Sequence, residues 1–278
     1  MIEAGKYHRL KLLKKLDFGW YLDGNGSEIL LPKRFAPDNA KEGDEVDVFV
    51  YHDSEDRIIA TTQRPLAIVG DIARLKVVHK TAMGAFMEWG IMKDLFVPLS
   101  QQTSRMHEGE SYLVYLYLDE MTGRVAATEK ITRYLSNEEL SIKEREEVDL
   151  IIWHKTDIGY KVIINRKHIG VLHFSDVFRE LEEGELLKGY IKTIRPENKI
   201  DVMLGSIGYQ RVGSEAERIL EMLRENGGYL PYNDKSAPDD IYAYFGVSKK
   251  TFKMTIGGLY KDRKIEITQA GIKLAENQ

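Results

Sequence analysis

Gly70-Asp71-Ile72-Ala73-Arg74-Leu75-Lys76-Val77-Val78 alternates apolar and polar residues as a half-buried strand does, and it opens the stretch, residues 70–130, that decides the fold. His79-Lys80-Thr81-Ala82-Met83-Gly84-Ala85-Phe86-Met87-Glu88-Trp89 follows, then Leu95-Phe96-Val97-Pro98 and Gly109-Glu110. Residues 111–118 make a further run, and beyond a turn at Thr122-Gly123 comes Arg124-Val125-Ala126-Ala127-Thr128. Five short β runs in about 60 residues suit one small closed barrel.

The same series recurs on both sides. His79-Lys80-Thr81 with Gly84 reappears as His154-Lys155-Thr156 with Gly159, 75 residues on. Gly109-Glu110 to Gly184-Glu185 and Arg124 to Lys199 repeat that interval of 75, so the two copies have equal internal length. An earlier copy is looser: Gly19, Gly43 and Arg57 precede Gly84, Gly109 and Arg124 by 65, 66 and 67, a drift that loops absorb. Its expected strands are Tyr7 to Leu16, Gly19 to Leu22, Glu28 to Leu31, Val46 to Tyr51 and Arg57 to Thr62, with tight-turn chemistry at Asp23-Gly24-Asn25-Gly26. The last copy is expected as Val148 to Trp153, Gly159 to Ile164, Gly170 to Phe174, Leu186 to Ile194 and Lys199 to Leu204. Between copies, Tyr134 to Glu147 carries five glutamates and reads as a helical or extended linker with a solvated face.

From Ser214 the period changes to 3.6, with Ala216, Ile219, Leu220 and Leu223 on one helix face and a stop at Asn226-Gly227-Gly228. A second helix is expected over Pro238 to Phe245, and a third, capped by Ser248, over Lys249 to Lys261. Ile265 to Ile267 and Gly271 to Leu274 read as short strands. The spacing thus predicts a mostly β, multidomain chain: three tandem five-stranded barrels at 1–64, 65–133 and 145–208, then an α+β winged helix-turn-helix at 212–278.

Composition narrows the function. There is no cysteine, which removes disulfides, thiolate metal sites and cysteine nucleophiles. No apolar run nears the roughly 20 residues of a membrane span. A cytoplasmic protein is the expectation. The net charge is −4, so polyanion binding must rest on local patches or stacking rather than on bulk charge.

Met83-Gly84-Ala85-Phe86-Met87, Gly170-Val171-Leu172-His173-Phe174-Ser175, Gly109-Glu110 and Asp119 with Arg124 are what the repeated module shares with a known one. It resembles the RNA-binding OB barrel named after the largest protein of the bacterial small ribosomal subunit. That resemblance implies an aromatic on each side of the glycine, a histidine farther on, and an acid and a base at the last hairpin, gathered on one face for single-stranded RNA. Stacking a base on an exposed ring is worth roughly 1–3 kcal/mol, and a nearby cation holds phosphate. Copy one offers Phe18 and Tyr21 as the aromatic pair and Asp53 with Arg57, with Pro32 in the histidine place. Copy two offers Phe86, Asp119 and Arg124, with Met83 for the first ring and Pro98 for the histidine. Copy three keeps His173 and has Arg195 and Lys199, with Ile158 and Lys161 where rings belong and Tyr160 one position off, on the opposite strand face.

Each assignment has a plainer rival. Rings in short strands often fill cores, and a histidine ending a strand can simply satisfy backbone. His79 and His154 repeat in step with the fold and have no partner at metal-ligand spacing, so no metal or cofactor is expected. Lys249, Lys250 and Lys253 open the third helix, with Arg263 and Lys264 where the wing begins. Residues 248–264 carry a net +5, which suits contact with nucleic acid as well as an ordinary solvated face. Gly205-Ser206-Ile207-Gly208 matches a KH-type loop as four letters alone, and no phosphate loop or nucleophile motif occurs, so no enzyme activity is expected.

Three such barrels and a winged helix, together with Arg105-Met106-His107-Glu108-Gly109-Glu110 and Tyr112 to Tyr117, make the whole chain resemble the bacterial conserved virulence factor B family. The resemblance implies RNA binding, post-transcriptional influence on virulence genes and no catalysis. The expectation is a monomeric regulator that binds single-stranded RNA. Its rivals are a DNA-binding transcription regulator acting through the winged helix, and a protein-interaction scaffold.

Overall fold

The computed structural model describes residues 2–177, 179–204 and 209–275, and divides into two units, Met1–Ser136 and Asn137–Gln278. Three five-stranded antiparallel meanders each close into a barrel through one parallel pairing. In the first, β1 (Lys6–Leu16), β2 (Gly19–Asp23), β3 (Glu28–Pro32), β4 (Glu45–His52) and β5 (Ile58–Thr61) close in the order β1-β2-β3-β5-β4. The second repeats that order with β6 (Ile72–Thr81), β7 (Gly84–Met87), β8 (Leu95–Pro98), β9 (Ser111–Leu118) and β10 (Val125–Thr128). The third does so with β11 (Glu147–Lys155), β12 (Gly159–Ile164), β13 (His168–His173), β14 (Leu186–Arg195) and β15 (Lys199–Leu204).

The repeated letters have backbone causes. The first strand of every barrel is bulged at the same place, between Leu12 and Lys14, Val77 and His79, and Ile152 and His154. A bulge bends the strand around the closing barrel. Just before it, the carbonyls of Leu12, Val77 and Ile152 accept from Gly43, Gly109 and Gly184 at 2.7–2.9 Å, which is why a glycine anchor recurs there. Those glycines lie at φ between 81° and 94°, backbone that a side chain strains. Gly19, Gly84 and Gly159 meet a second constraint: a Cβ would stand 2.1–2.2 Å from the carbonyl oxygen of Leu31, Val97 or Leu172 on the next strand.

Barrels one and two share a core. Phe49 and Tyr51 point out of barrel one, where Trp89 and Ile91 of the β7–β8 loop and Ala67 pack on them. Trp89 meets Phe49 edge-on at 5.4 Å, is 2% exposed, and donates its indole N–H to the Ala67 carbonyl at 2.8 Å. Barrel two has rings on the equivalent face, where Tyr134 stacks on Tyr115 at 3.8 Å and reaches Tyr117 at 6.2 Å.

The expected linker is extended, its glutamates are exposed as a solvated face, and its other face packs on the barrel. Leu140 and Ile142 enter the core of barrel three. Asn137 donates to the carbonyls of Ile169 and Asn198 and accepts from the Ile169 N–H, so backbone that would be orphaned at the barrel's end is satisfied by this segment. Apolar residues among the glutamates are what seat it.

The C-terminal domain has α1 (Tyr209–Glu225), β16 (Tyr229–Leu230), α2 (Pro238–Phe245), α3 (Lys249–Lys261), β17 (Ile265–Ile267) and β18 (Ile272–Leu274). The second and third helices match their expected limits, closed by left-handed Gly246 and capped by Ser248, whose Oγ accepts from the Thr251 N–H. The first begins five residues before Ser214, and β16, absent from the sequence reading, completes a three-stranded sheet. The four residues of the KH-like pattern lie outside the described residues.

Candidate nucleic-acid interface

The glycine of each barrel places the same cross-strand row outside the barrel. The residue two after it pairs back to the first strand and on to the third. In barrel one the row is Lys14, Tyr21, Leu30. In barrel two it is His79, Phe86, Phe96, and in barrel three His154, Lys161, Val171. The intervening residues Trp20, Ala85 and Tyr160 face inward, and Tyr160 is 3% exposed, so it is core as its parity required.

In barrel one Phe18 is 53% exposed and meets Tyr21 edge-on at 6.1 Å. The Lys14 ammonium lies 5.0 Å from the Tyr21 ring and also pairs with Glu28. Two rings with a cation over one of them form a stacking surface with an adjacent phosphate partner. Asp53 and Arg57 form the expected pair at 2.7 Å. Burial pushes the Asp53 carboxyl up, but hydrogen bonds from the Arg57 backbone and guanidinium outweigh it and hold the group below its ordinary value.

Barrel two carries a longer aromatic row than its sequence suggested. His79 lies over Phe86 at 6.1 Å, and Phe86 meets Phe96 at 4.9 Å. Met83, in the turn before Gly84, is 74% exposed. Phe96 escaped the sequence reading, although Leu95 and Val97 facing the core oblige it to face out. Asp119 and Arg124 are not a pair: Asp119 accepts from the N–H groups of its own turn, and Arg124 reaches Asp56 of barrel one at 2.6 Å.

Barrel three moves its ring. Lys161 occupies the aromatic place and lies 4.8 Å from the ring of Trp153, the residue at the bulge. Burial, then the charge of Lys161, lowers the pKa of neighbouring His154. His173 pairs with Gly159 across the strands, where Pro32 and Pro98 pair with Gly19 and Gly84, which verifies the equivalence. Asp201 accepts from Arg195 at 2.8 Å and lies 3.0 Å from the His173 ring, while Lys199 pairs with Glu197. Trp153 was legible only as a strand residue; the bulge that turns it outward was not.

On α3 Lys250 and Lys253 are exposed and Lys249 is half-buried; Lys253 lies 3.6 Å from Asp234. Met254 and Tyr260 are exposed on the same helix, and Arg263 and Lys264 are exposed before β17. Among the described residues no group of three or more His, Asp or Glu could hold a metal ion, and no helix is long and apolar enough to cross a membrane.

Comparison with known proteins agrees with this architecture. Residues 4–63 and 69–129 match the family model described as S1 domain, and 217–274 that of the CvfB-like winged helix domain. The chain is 26% identical over 271 residues to the uncharacterized protein YitL of Bacillus subtilis strain 168, covering 95% of this chain and 91% of that one. It is 26% identical over 247 residues to conserved virulence factor B of Staphylococcus epidermidis ATCC 12228, covering 86% and 83%. A solved multidomain protein with nucleic acid binding domains from Streptococcus pneumoniae TIGR4 is 24% identical over 98% of both chains, with a TM-score of 0.42.

Proposed function

The chain belongs to the conserved virulence factor B family, being built of S1 domains and a CvfB-like winged helix domain, and from that premise we propose that it binds single-stranded RNA across its barrels. The S1 domains support a nucleic-acid-binding role. The observation that carries the finer reading is the outer row of barrel two, His79, Phe86 and Phe96, with its counterpart of Phe18, Tyr21 and Lys14 in barrel one. A base edge in a stacked duplex has no use for a flat row of rings, whereas splayed single-stranded bases do. The chain is close to neutral, so stacking at several linked sites, rather than bulk charge, supplies affinity. In this reading the protein acts without catalysis, as a cytoplasmic monomer whose RNA binding controls virulence factors post-transcriptionally; its relatives are named conserved virulence factor B.

Binding of a labelled pyrimidine-rich RNA to the wild type and to Phe18→Ala/Phe86→Ala/His173→Ala tests the assignment. A large loss of affinity is expected; unchanged affinity overturns it. The second reading, duplex DNA on α3, draws on Lys249 and Lys250 in the helix's first turn, where a recognition helix meets base edges. Competition by duplex DNA that outruns RNA would favour it.

A further inference from the structure

The turn joining β4 to β5 carries Asp53 and Arg57, and residues of barrel two hold it from outside. Lys93, in the β7–β8 loop, donates from Nζ to the carbonyls of His52 and Asp53, the latter at 2.9 Å. Arg124 donates to Asp56 at 2.6 Å. Asp56 itself sits at φ 70°, in the left-handed backbone that an Asp in a tight turn adopts more readily than most side chains, which places its carboxylate at the hairpin tip. Gly123 lies against His52, where a Cβ would come 3.7 Å from the imidazole.

Arg124 and Arg57 hold the same place in their own hairpins, since Asp53 and Asp119 donate to their respective carbonyls at 3.0 and 2.9 Å. Their side chains differ in aim. Arg57 turns back to Asp53 and Glu55 of its own hairpin, while Arg124 leaves its own barrel. Burial, then the charge of Arg124, pulls the Lys93 pKa down, so this cation is kept half-buried against its own desolvation, unlike a surface lysine.

We propose that Lys93 and Arg124 are positioning residues through which barrel two fixes the β4–β5 hairpin of barrel one, so that Arg57 stands ready beside Tyr21 for a phosphate of the bound RNA. The inference rests on the RNA-binding reading above. It makes barrels one and two a single binding unit, in which Arg124 serves its neighbour's site and is not itself an RNA ligand.

The test measures two quantities on the full chain: affinity for a labelled pyrimidine-rich RNA, and amide hydrogen exchange of residues 52–58 without RNA. Lys93→Met is expected to speed exchange in the hairpin and weaken RNA binding about threefold or more. That loss should vanish in an Arg57→Ala background. Arg124→Glu should weaken binding, and the charge swap Arg124→Glu/Asp56→Arg, whose net charge equals the wild type's, should restore both binding and slow exchange. Asp56→Asn frees Arg124; tighter RNA binding with unchanged exchange in that variant would make Arg124 a direct ligand and overturn the proposal. Unchanged exchange and affinity in Lys93→Met, with a wild type that binds RNA, overturns the clamp alone. A wild type that binds no RNA overturns the functional reading and this one with it.

Discussion

Barrels two and three have the same spacing from their close-approach glycine to the partner on the third strand, Gly84 to Pro98 and Gly159 to His173, yet they use the intervening residues differently. In barrel three β12 and β13 run on to a tight turn, with Asn165 and Arg166 at φ 48° and 57°. In barrel two β7 stops at Met87 and residues 88–94 fold out as a loop carrying Trp89, Ile91 and Lys93 to barrel one. Equal spacing preserves the barrel because register depends on the bulge and the glycine. It leaves the residues between free to become either more strand or a docking element.

The sharpest way to break that comparison is to substitute the residue five after each glycine. Trp89→Ala should cost about 3–5 kcal/mol and separate the unfolding of barrels one and two. Ile164→Ala, in the core of barrel three, should cost about 2–5 kcal/mol and leave the unfolding of barrels one and two unchanged. Chemical denaturation followed by hydrogen exchange reads both; a single shared transition in Trp89→Ala would refute the docking role.

Gly84→Ala and Gly159→Ala probe what the two barrels share. Each drives a Cβ into the carbonyl of the facing strand, at 2.2 and 2.1 Å, so each should destabilise its barrel by about 2 kcal/mol or more. Calorimetric losses that are unequal would show that the glycines do different work.

The outer rows should separate the barrels again, in binding. Phe86→Ala is expected to weaken RNA affinity by about 1–3 kcal/mol with little change in salt dependence. Lys161→Ala should lower the salt slope by about one instead, because a cation against Trp153 contributes charge. Titrations at several salt concentrations distinguish them.

The smallest effect is a pH dependence at the inter-barrel contact. Burial pushes His52 below its ordinary value of 6.5; Asp56 and Asp53 oppose that, and Lys93 and Arg124 add to it. The unfolded chain therefore binds a proton more readily than the folded one. The stability tied to neutral His52 is present above pH 6.5 and is lost as pH falls through the depressed folded value. Denaturation midpoints from pH 7.5 to 5 should fall, and His52→Gln should flatten part of that fall.

Much of the candidate site was legible because side-chain parity on a strand is strict. Once Gly84 and Gly159 were aligned, Phe86 and Lys161 had to share a face and Tyr160 had to be core. Phe96 obeys the same rule and needed only to be counted outward from Val97. Trp153 breaks the count, because a bulge inserts one residue and no letter announces it. Arg124 illustrates a different gap: its place in the hairpin was plain, but which acid it would meet depended on another barrel.

From the sequence alone came the three barrels, their order, their glycine anchors and the helices of the last domain, because periodicity, turn residues and caps act over a few residues along the chain. The tertiary structure decided that residues 88–94 dock rather than extend a strand, that Leu140 and Ile142 seal a barrel while the linker's glutamates stay solvated, and that Arg124 reaches Asp56. Those outcomes depend on which apolar face or charge is offered by residues distant in sequence, and local pattern carries no record of that encounter.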